Sequence, residues 1–305
     1  MAQIIDGKKL GARIKEKIHE QIPLLEQQYG RRPSLYVIIV GEDEGSLKYV
    51  TNKVKTAKTI GMDARLIALK ENISESELIN IIHVLNADPL VDGILVQLPL
   101  PNHINEDRVV DAIEKHKDVD GFHALNVGSL WQGTHCIAPC TPKGIIQLIK
   151  STGIEIRGKM AVVVGRSNIV GKPVAKLLLD ENATVVMAHT GTRDLRAVTL
   201  LADILVVAAG QEKLITADMV KPGAVVIDVG ITRNAEGKVV GDVDFENVKE
   251  VAGYITPVPG GVGPLTIAML MKNTMECFLC HAESSTDVSK LWATIIKARI
   301  GGSAE

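Results

Sequence analysis

Two side chains early in the chain have the types and the spacing that proton transfer requires. Tyr49 and Lys53 are four residues apart in the segment Ser46–Ala57, which reads SLKYVTNKVKTA. On a helix, residues four apart lie on the same face, so the phenol and the amine would be neighbours. A positioned lysine amine can act as a general acid or base. Because the segment contains several other lysines, a solvated basic helix face is the alternative interpretation.

Polar side chains that follow apolar runs extend this group. Gln97 ends the run DGILVQ, and a side chain at the carboxyl end of a parallel strand faces the edge where α/β proteins bind ligands. We therefore expect Gln97 to hydrogen-bond an amine or a substrate amide. The turn Lys117–Phe122 contains Asp118 and Asp120. One of these carboxylates could bind a guanidine-like ring edge in bidentate fashion, and Asp120 is the stronger candidate because turn capping is the ordinary role for Asp118.

A glycine-rich turn between a strand and a helix has the pattern of a nucleotide site. The segment Val162–Pro173 reads VVVGRSNIVGKP, with an apolar strand that ends at Gly165 and a helix that begins at Gly171. Backbone N–H groups and the positive end of the helix dipole would face an anion there. Ser167 replaces the middle glycine of the usual Gly-x-Gly-x-x-Gly, which keeps the loop small and adds a hydroxyl. An ordinary strand-to-helix turn is the alternative.

The end of the next strand indicates which dinucleotide fits. NAD-binding units usually end this strand with Asp or Glu, which holds the ribose hydroxyls. Here the chain continues as Ala188–Gly191 (AHTG), without a carboxylate, and Arg166 and Arg193 are available. Guanidinium groups suit a 2′-phosphate, so NADP is the predicted cofactor. His189 could face the adenine ribose or simply the solvent.

Two further segments are expected at the ligand-binding edge. Ile231 follows the strand end Asp228–Gly230 and would form an apolar wall beside the nicotinamide. The loop Thr256–Thr266, TPVPGGVGPLT, combines prolines that fix φ with glycines that permit unusual conformations. Such a backbone lets a flat ligand approach the main chain closely, which is more than a helix-entry loop requires.

The elements that position these residues form two series in which apolar runs alternate with helical patterns. Continuous apolar strands separated by helices predict a parallel sheet covered on both faces. In the first half, strands are expected at 34–40, 64–69 and 92–97, and helices at 10–29, 45–60 and 74–86. In the second half, strands are expected at 160–164, 184–187, 204–208 and 224–229, and helices at 171–179 and 263–281.

These patterns predict an α/β fold of two α/β domains, the second a Rossmann-like NADP-binding domain, with a cleft between them. The first domain would cover residues 1–140 and would be completed by the helix at about 263–281, while residues 141–262 would form the second. Residues 282–305 would form a tail, and within it residues 288–300 are predicted to be a loosely attached amphipathic helix.

Length and composition restrict the class of protein. A chain of 305 residues favours two domains. The net charge of −2 gives no overall basic field for nucleic acid or an anionic membrane, and only 3% aromatic residues argue against a base-stacking surface. Since no apolar run reaches the ~18–20 residues of a membrane span and residues 1–13 have no signal-peptide pattern, we predict a cytoplasmic protein.

Four cysteines raise the question of a metal centre. The pairs Cys136/Cys140 and Cys277/Cys280 have spacings that a zinc site can use. The pairs lie far apart in sequence, however, and the second falls within the apolar helical run Leu270–Leu279. Buried, reduced thiols are therefore expected, and no metal site is predicted.

Taken together, these motifs resemble those of the methylenetetrahydrofolate dehydrogenase/methenyltetrahydrofolate cyclohydrolase family. The resemblance covers about residues 2–280, and its combination of motifs is far more specific than any one glycine loop. The motifs, in the family's order, are Tyr49–Lys53, Asp92–Pro101, Lys117–Phe122, Pro139–Gly144, Gly165–Pro173 and Ile255–Pro264.

The resemblance implies a bifunctional enzyme that acts on tetrahydrofolate derivatives. It would oxidise 5,10-methylenetetrahydrofolate to 5,10-methenyltetrahydrofolate with NADP and hydrolyse the product to 10-formyltetrahydrofolate. Lys53 would be the general acid/base of the hydrolysis, Gln97 would support it, and Tyr49 would lie along the folate. Asp120 would anchor the pterin ring. The other implied substrate-binding residues are Val96, Leu98, Pro259, Gly260 and Gly261.

For the cofactor and the partners the resemblance implies further properties. A homodimer, a cytoplasmic location and a role in purine biosynthesis are implied, with no nucleic acid and no membrane as partner. Thr190 stands where relatives can carry Ser or Arg, and the tail is longer than the family core. The residues implied to contact NADP are Gly165, Arg166, Ser167, Thr190 and Ile231.

Two other functions compete with this interpretation. An NAD(P)-dependent dehydrogenase of an amino or hydroxy acid would explain the nucleotide half, but not Tyr49, Lys53 and Gln97 together with the loop PGGVGP. A non-catalytic NADP-binding protein would bind the cofactor without turnover and would not need the lysine.

Overall fold

The computed structural model describes residues 1–282. The tail helix predicted at 288–300 therefore lies outside the described residues. The helices are α1 (Gly7–Tyr29), α2 (Glu44–Thr59), α3 (Glu75–Ala87), α4 (Glu106–Asp111), α5 (Ala124–Gln132), α6 (Cys140–Ser151), α7 (Gly171–Asp180), α8 (Leu195–Thr199), α9 (Phe245–Val248) and α10 (Val262–Ala282). The strands are β1 (Gln3–Ile4), β2 (Ser34–Val40), β3 (Asp63–Leu69), β4 (Gly93–Val96), β5 (Met160–Val164), β6 (Thr184–Ala188), β7 (Ile204–Val207), β8 (Val225–Asp228), β9 (Thr232–Arg233), β10 (Val239–Val240) and β11 (Tyr254–Ile255).

The strands and helices predicted within residues 1–282 are all present, with limits that differ by three residues or fewer. The predicted α/β class is confirmed. Helix α3 shows why such predictions succeed, because Ser74 and Glu77 form a capping box in which each side chain accepts the other's backbone N–H. Helix α2 begins in a similar way, with the Asp43 carboxylate accepting the N–H of Ser46 at 2.7 Å.

The described chain forms two compact units. Unit 1 contains residues 1–20 and 120–273, and unit 2 contains residues 21–119 and 274–282. The sequence placed residues 1–140 and the helix at about 263–281 together in the first domain, whereas residues 1–20, 120–140 and 263–273 belong to unit 1. Whether the two functional domains end at the limits predicted from the sequence stays a prediction.

The sheet of unit 2 has three parallel strands in the order β3-β2-β4. The central strand β2 is buried except at Tyr36, and its apolar side chains pack with those of α3 and β4, including Ile38, Leu78 and Ile94. The N–H of Gln97 continues the β4 pairing by donating to Ile38 O at 2.8 Å. Gln97 is thereby fixed just beyond the carboxyl end of β4.

The sheet of unit 1 has six strands in the order β1-β11-β8-β7-β5-β6, and every neighbouring pair is parallel. Strand β5 lies between β6 and β7, so the direction of winding reverses beside it, which is where doubly wound folds bind ligands. Val162, Val163 and Val164 are all buried, so both faces of the sheet are covered. The strand following Ile231 forms a short antiparallel hairpin, β9–β10.

None of the helices within residues 1–282 is both long and apolar enough to cross a membrane. Buried thiols are found at Cys140 and Cys277, whereas Cys136 and Cys280 are only half-buried. Burial raises the pKa of the Cys277 thiol well above its ordinary value. Among the described residues, no three or more His, Cys, Asp or Glu side chains are grouped to hold a metal ion.

Candidate functional site

A lysine site in unit 2 brings together three residues singled out from the sequence. Lys53 is only 6% exposed, and its Nζ donates to Gln97 Oε1 at 3.0 Å. The same Nζ lies 4.7 Å from the centre of the Tyr49 ring, within the range of a cation–π contact. Tyr49 is 37% exposed, so its ring forms the outer wall of the site. A buried amine is thus held between an amide oxygen and an aromatic face.

The Gln97 amide is fixed on both sides. Its Nε2 donates to Leu98 O at 2.6 Å, which leaves Oε1 as the group that accepts from Lys53. The backbone N–H of Gln97 donates to Ile38 O, so the main chain from which this side chain extends is also held in place. Gln97 therefore sets the position of the lysine amine.

The interpretation of α2 as a solvated basic face is wrong for Lys53, although it describes the other lysines of the helix. Lys48, Lys55 and Lys58 are exposed, whereas Lys53 and Val54 belong to the buried face. Helical spacing puts Val50, Lys53 and Ala57 on one side, so one lysine points inward while three remain in water.

The neighbouring residues implied as substrate contacts differ in what they can offer. Val96 is buried in the apolar core of unit 2, so its backbone is the part that remains for a ligand. Leu98 is half-buried and precedes a cis Leu98–Pro99 bond.

The KDVDGF motif has a structural component that the sequence did not reveal. Lys117 is buried, and its Nζ donates to the backbone carbonyls of Leu85, Asn86 and Asp88 at the carboxyl end of α3. A cation is favourable there because it satisfies the last carbonyls of the helix. Burial lowers the pKa of Lys117. Because Lys117 lies 29 to 32 residues after these carbonyls in the sequence, no local pattern marks this role.

The two carboxylates of this motif lie in different surroundings. Asp118 is buried and forms a parallel bridge with Ile94 of β4, whereas Asp120 is half-buried and begins the second segment of unit 1. Of the two, Asp120 is the more accessible to a ligand.

The dinucleotide loop of unit 1 is formed by backbone in close contact. Gly165 has φ +120°, and a Cβ there would overlap Ala208 O at the end of β7. A Cβ at Gly171 would overlap Gly165 O. The Ser167 Oγ accepts the N–H groups of Val170 and Gly171 at 3.2 and 3.3 Å, so its own proton is available to a ligand. The loop lies at the reversal of the sheet, lacks a Cβ at the two crowded positions Gly165 and Gly171, and fits a dinucleotide diphosphate.

The end of β6 carries the residues expected near the adenosine phosphate. Thr190, Arg166 and Arg193 are exposed. His189 shapes the turn, because its ring Nδ1 accepts the backbone N–H of Gly191 at 3.0 Å and its backbone N–H donates to Thr192 Oγ1 at 2.9 Å. The described structure thus keeps two guanidinium groups accessible beside a strand end that lacks a carboxylate.

An apolar cavity of about 190 Å³ in unit 1 is lined by residues from four segments. These are Lys8 of α1, residues 228–231 that include Ile231, Val239 of β10, and the loop residues 257–264 that include Pro259, Gly260 and Gly261. Ile231 is 70% exposed, so its apolar side chain is accessible for contact with a flat ligand. Helix α1 approaches this loop closely, because a Cβ at Gly7 would overlap Gly261 O. Lys8 and Gly7 gave no signal in the sequence, since only the fold brings α1 to the loop.

The PCTPKG motif organises helix packing in unit 1. Lys143 Nζ donates to Asn273 Oδ1 at 2.6 Å, and the hydroxyls of Thr141 and Thr266 lie 3.0 Å apart. Asn273 Nδ2 in turn donates to Ala138 O at 3.0 Å. These contacts join α6 to α10, so the motif has a role in the structure.

Two family models match this chain over most of its length. The tetrahydrofolate dehydrogenase/cyclohydrolase catalytic domain matches residues 5–120, and the NAD(P)-binding domain of the same family matches residues 139–282. The chain belongs to the tetrahydrofolate dehydrogenase/cyclohydrolase family. The family expected from the motifs is thereby confirmed.

Individual relatives of this family agree with the assignment. The chain is 56% identical to a bifunctional protein FolD of Listeria innocua over 276 residues, which are 90% of this chain and 97% of that relative. The crystal structure of the bifunctional FolD dehydrogenase/cyclohydrolase of Campylobacter jejuni superposes with a TM-score of 0.89 and 48% identity, covering 91% of this chain and 99% of that one. The dehydrogenase-cyclohydrolase of Trypanosoma brucei, solved with NADP cofactor and an inhibitor, has a TM-score of 0.86 and 41% identity, covering 91% and 97%.

Proposed function

We propose that the protein oxidises 5,10-methylenetetrahydrofolate to 5,10-methenyltetrahydrofolate with NADP and hydrolyses the product to 10-formyltetrahydrofolate. The observation that carries the proposal is the buried Lys53 amine, 3.0 Å from Gln97 Oε1 and beside the Tyr49 ring. A nucleotide-binding protein without catalysis would not need such an amine, and a dehydrogenase of amino or hydroxy acids would not explain Tyr49, Lys53 and Gln97 together with the loop PGGVGP. Membership of the family supports the same conclusion.

NADP is the cofactor of this activity, and it supplies the hydride acceptor when bound. The Gly165 loop would hold the diphosphate through its N–H groups and the Ser167 hydroxyl. Arg166 and Thr190 would face the adenosine phosphate, since both are exposed and no carboxylate follows β6. Ile231 would lie against the nicotinamide. Hydride transfer requires aligned carbon atoms and no acid or base, so orientation is the contribution of these residues.

Hydrolysis of the methenyl bridge is where Lys53 would act. As water adds to the bridge carbon, the amine takes one proton from it. The amine then returns that proton to the ring nitrogen when the carbon–nitrogen bond breaks, and the second proton of the water leaves to solvent as the formyl carbonyl forms. Gln97 would keep the amine in place throughout. Such a positioned acid/base contributes about 10²–10⁴-fold to a rate.

The remaining residues are proposed to bind the folate. Tyr49 would lie along it, and Asp120 would anchor the pterin ring by accepting its N–H groups. The loop residues Pro259, Gly260 and Gly261 would contact the ring system through a backbone that approaches closely. Leu98 and the Val96 backbone would complete the contacts.

A cofactor-dependent absorbance assay with methylenetetrahydrofolate, run with NADP and then with NAD, tests the proposal. We expect turnover with NADP and formation of 10-formyltetrahydrofolate. Binding of NADP without turnover would favour a non-catalytic protein. Turnover of an amino or hydroxy acid in place of the folate would favour the other dehydrogenase class.

Three further parts of the proposal rest on the family resemblance. We propose a homodimer, a cytoplasmic location and a supply of 10-formyltetrahydrofolate to purine biosynthesis. Light scattering on the purified chain should give twice the monomer mass of 32.8 kDa. A monomer mass across the concentration range of the assays would reject the dimer without affecting the proposed chemistry.

A further inference from the structure

Two aspartates are buried side by side at the ligand-binding edge of the unit 1 sheet. Asp228 ends β8, and Asp242 follows the hairpin β9–β10 fourteen residues later. Both are buried, and both accept backbone N–H groups. Carboxylates are rarely buried without a compensating role, because removing a charge from water is costly.

The two carboxylates hold three separate segments. Asp228 accepts the N–H groups of Gly230, Asp242 and Val243, each at 3.0 Å. Asp242 Oδ2 accepts those of Ala209 and Gly210 at 2.6 and 2.9 Å. The pair therefore joins the loop after β7, the loop after β8 and the segment that follows the hairpin.

Glycines make room for the pair reciprocally. A Cβ at Gly230 would overlap Asp242 Oδ1, and a Cβ at Gly241 would overlap Asp228 Oδ2. Among the described residues, Asp242 Oδ1 is the one buried side-chain oxygen or nitrogen that lacks a hydrogen-bond partner. Such an arrangement is expensive for stability alone, since a buried acceptor without a donor costs about 1–3 kcal/mol.

Both loops held by the pair border the proposed cofactor site. Ala208 O occupies the space beside Gly165 in the dinucleotide loop, and Asp242 binds the two residues that follow Ala208. Gly230 immediately precedes Ile231, the exposed wall of the apolar cavity, and Asp228 binds Gly230.

We propose that Asp228 and Asp242 are positioning residues for NADP, which fix the loops carrying Ala208–Gly210 and Ile231 at the spacing the dinucleotide requires. The proposal rests on the proposed function for the identity of the cofactor. Asp228 also lines the apolar cavity beside Ile231, whereas Asp242 is not among the lining residues, and both aspartates hold the loops through backbone N–H groups. Their loss should therefore weaken NADP binding and leave the hydrolysis, which needs no NADP, unaffected.

The test compares three variants of the full chain. Asp242→Ala removes the acceptor for Ala209 and Gly210, and Asp242→Asn keeps one oxygen for them. Asp203→Ala is the matched control, because Asp203 accepts Met160 N–H and Lys221 Nζ at the opposite end of the same sheet. The Kd of NADP is measured by calorimetry, alongside KM for NADP, the cyclohydrolase rate and Tm.

We expect Asp242→Ala to raise the Kd and the KM for NADP at least tenfold, with less than a twofold change in cyclohydrolase activity. Asp242→Asn should restore the Kd to within about threefold of wild type. Asp203→Ala should lower Tm and leave the Kd unchanged. Equal effects of the two alanine variants on NADP, or a parallel fall of both activities in Asp242→Ala, would overturn the proposal.

A second variant serves if Asp242→Ala does not fold. Gly230→Ala keeps both carboxylates and displaces Asp242 Oδ1, so it should weaken NADP in the same way. A wild-type Kd in Gly230→Ala would overturn the proposal. If the wild type binds NADP but does not oxidise methylenetetrahydrofolate, the proposed function fails while the comparison of Kd values still decides the role of the pair.

Discussion

In unit 2 the functional group is a side chain held by other side chains. Lys53 Nζ contacts Gln97 Oε1 and the Tyr49 ring, and helix α2 and strand β4 deliver these groups from positions 44 residues apart. In unit 1 the corresponding region, the dinucleotide loop, consists of backbone against backbone, with Gly165 against Ala208 and Gly171 against Gly165. The lysine site depends on particular side-chain atoms, whereas the dinucleotide loop depends on glycines that have no side chain.

The difference predicts how each region fails. Removing the amine from Lys53 should abolish one chemistry without disturbing the fold, because the rest of the helix face remains apolar. Adding a single methyl group to the dinucleotide loop should disturb cofactor binding, because tightly packed backbone cannot move aside. Separate damage to the two activities would support the contrast, and joint damage would break it.

Lys53→Met gives the largest expected effect, since it keeps the length of the side chain and removes the titrating amine. The hypothesis is that cyclohydrolase activity falls by about a hundredfold or more, while dehydrogenase activity survives in reduced form. Methenyltetrahydrofolate released from the mutant should accumulate and can be followed by its absorbance. Lys55→Met is the matched control, because Lys55 is exposed on the same helix and should change neither activity. A parallel fall of both activities would make Lys53 a binding residue.

Asp228 introduces a titrating group into the region otherwise formed by backbone. Its pKa is raised from an ordinary 3.8 to about 6, mainly because of burial, with three backbone N–H groups opposing the rise and the charge of Asp242 adding to it. The folded state therefore binds more protons than the unfolded state between these two values. Consequently the free energy of unfolding falls as the pH rises through this window, and the loss persists above about pH 6.

Asp228→Asn cannot ionise, so it isolates this contribution. The difference in unfolding free energy between wild type and variant should shift against the wild type by about 2 kcal/mol from pH 4 to pH 7, at up to about 1.4 kcal/mol per pH unit between the two pKa values. Urea unfolding at pH values from 4 to 7.5 measures it. If the difference is constant across that range, or if it moves in favour of the wild type, the raised pKa is wrong.

Gly165→Ala tests the dinucleotide loop directly. The added Cβ would overlap Ala208 O, and φ of +120° is unfavourable for alanine, so the loop must shift. We expect the Kd of NADP to rise about tenfold or more, since overpacking costs about 1–3 kcal/mol, while cyclohydrolase activity persists. Gly158→Ala is the control for backbone strain, because φ there is +73° but no atom lies within 4 Å of the new Cβ. Equal effects of the two variants would show that strain, and not the cradle, is responsible.

Charge beside the loop should have a smaller and more selective effect. Wild type should prefer NADP to NAD, because β6 ends without a carboxylate and Arg166 is exposed. Arg166→Glu should reduce kcat/KM for NADP about tenfold more than for NAD, since the new charge repels the 2′-phosphate. Arg157→Glu makes the same change in charge at the amino end of β5 and should leave the ratio unaltered. A wild type that uses NAD as well as NADP would contradict the role given to Arg166.

The parts of the fold that the sequence could predict are those with a repeating local cause. Strand β2 is buried on both faces, so its residues form a continuous apolar run, and Ser74 marks the start of α3 through its capping box. Strands β1 and β11 have two residues each and pair only with strands distant in sequence, so no local pattern marks them. Helix α6 begins at Cys140 with Pro142 and Gly144 inside it, which weakens any helical signal.

A local cause also distinguishes the site residues that the sequence could predict from those that it could not. Lys53 and Gln97 could be selected because each has a local position, on a helix face and at a strand end, that suggests a use. Lys8, Lys117 and Asp242 could not be selected, because their roles depend on partners that only the tertiary structure supplies. Asp242 reaches Asp228 through the β9–β10 hairpin, whose strands have two residues each.

The smallest effect is expected from deletions at the end of the chain, which should leave both the lysine site and the dinucleotide loop unaltered. Deleting residues 283–305 should alter both activities by less than about twofold, because the family models and the proposed sites end at or before residue 282. Deleting residues 281–305 also removes His281, whose Nδ1 contacts the buried Asp92 at 3.2 Å beside Arg31. Asp92 would keep its bidentate Arg31 pair, so the loss of one hydrogen bond should cost about 1 kcal/mol in unfolding free energy. Activity assays and urea unfolding of both truncations measure this, and a large loss of either activity in the shorter deletion would show that residues 283–305 take part in the function.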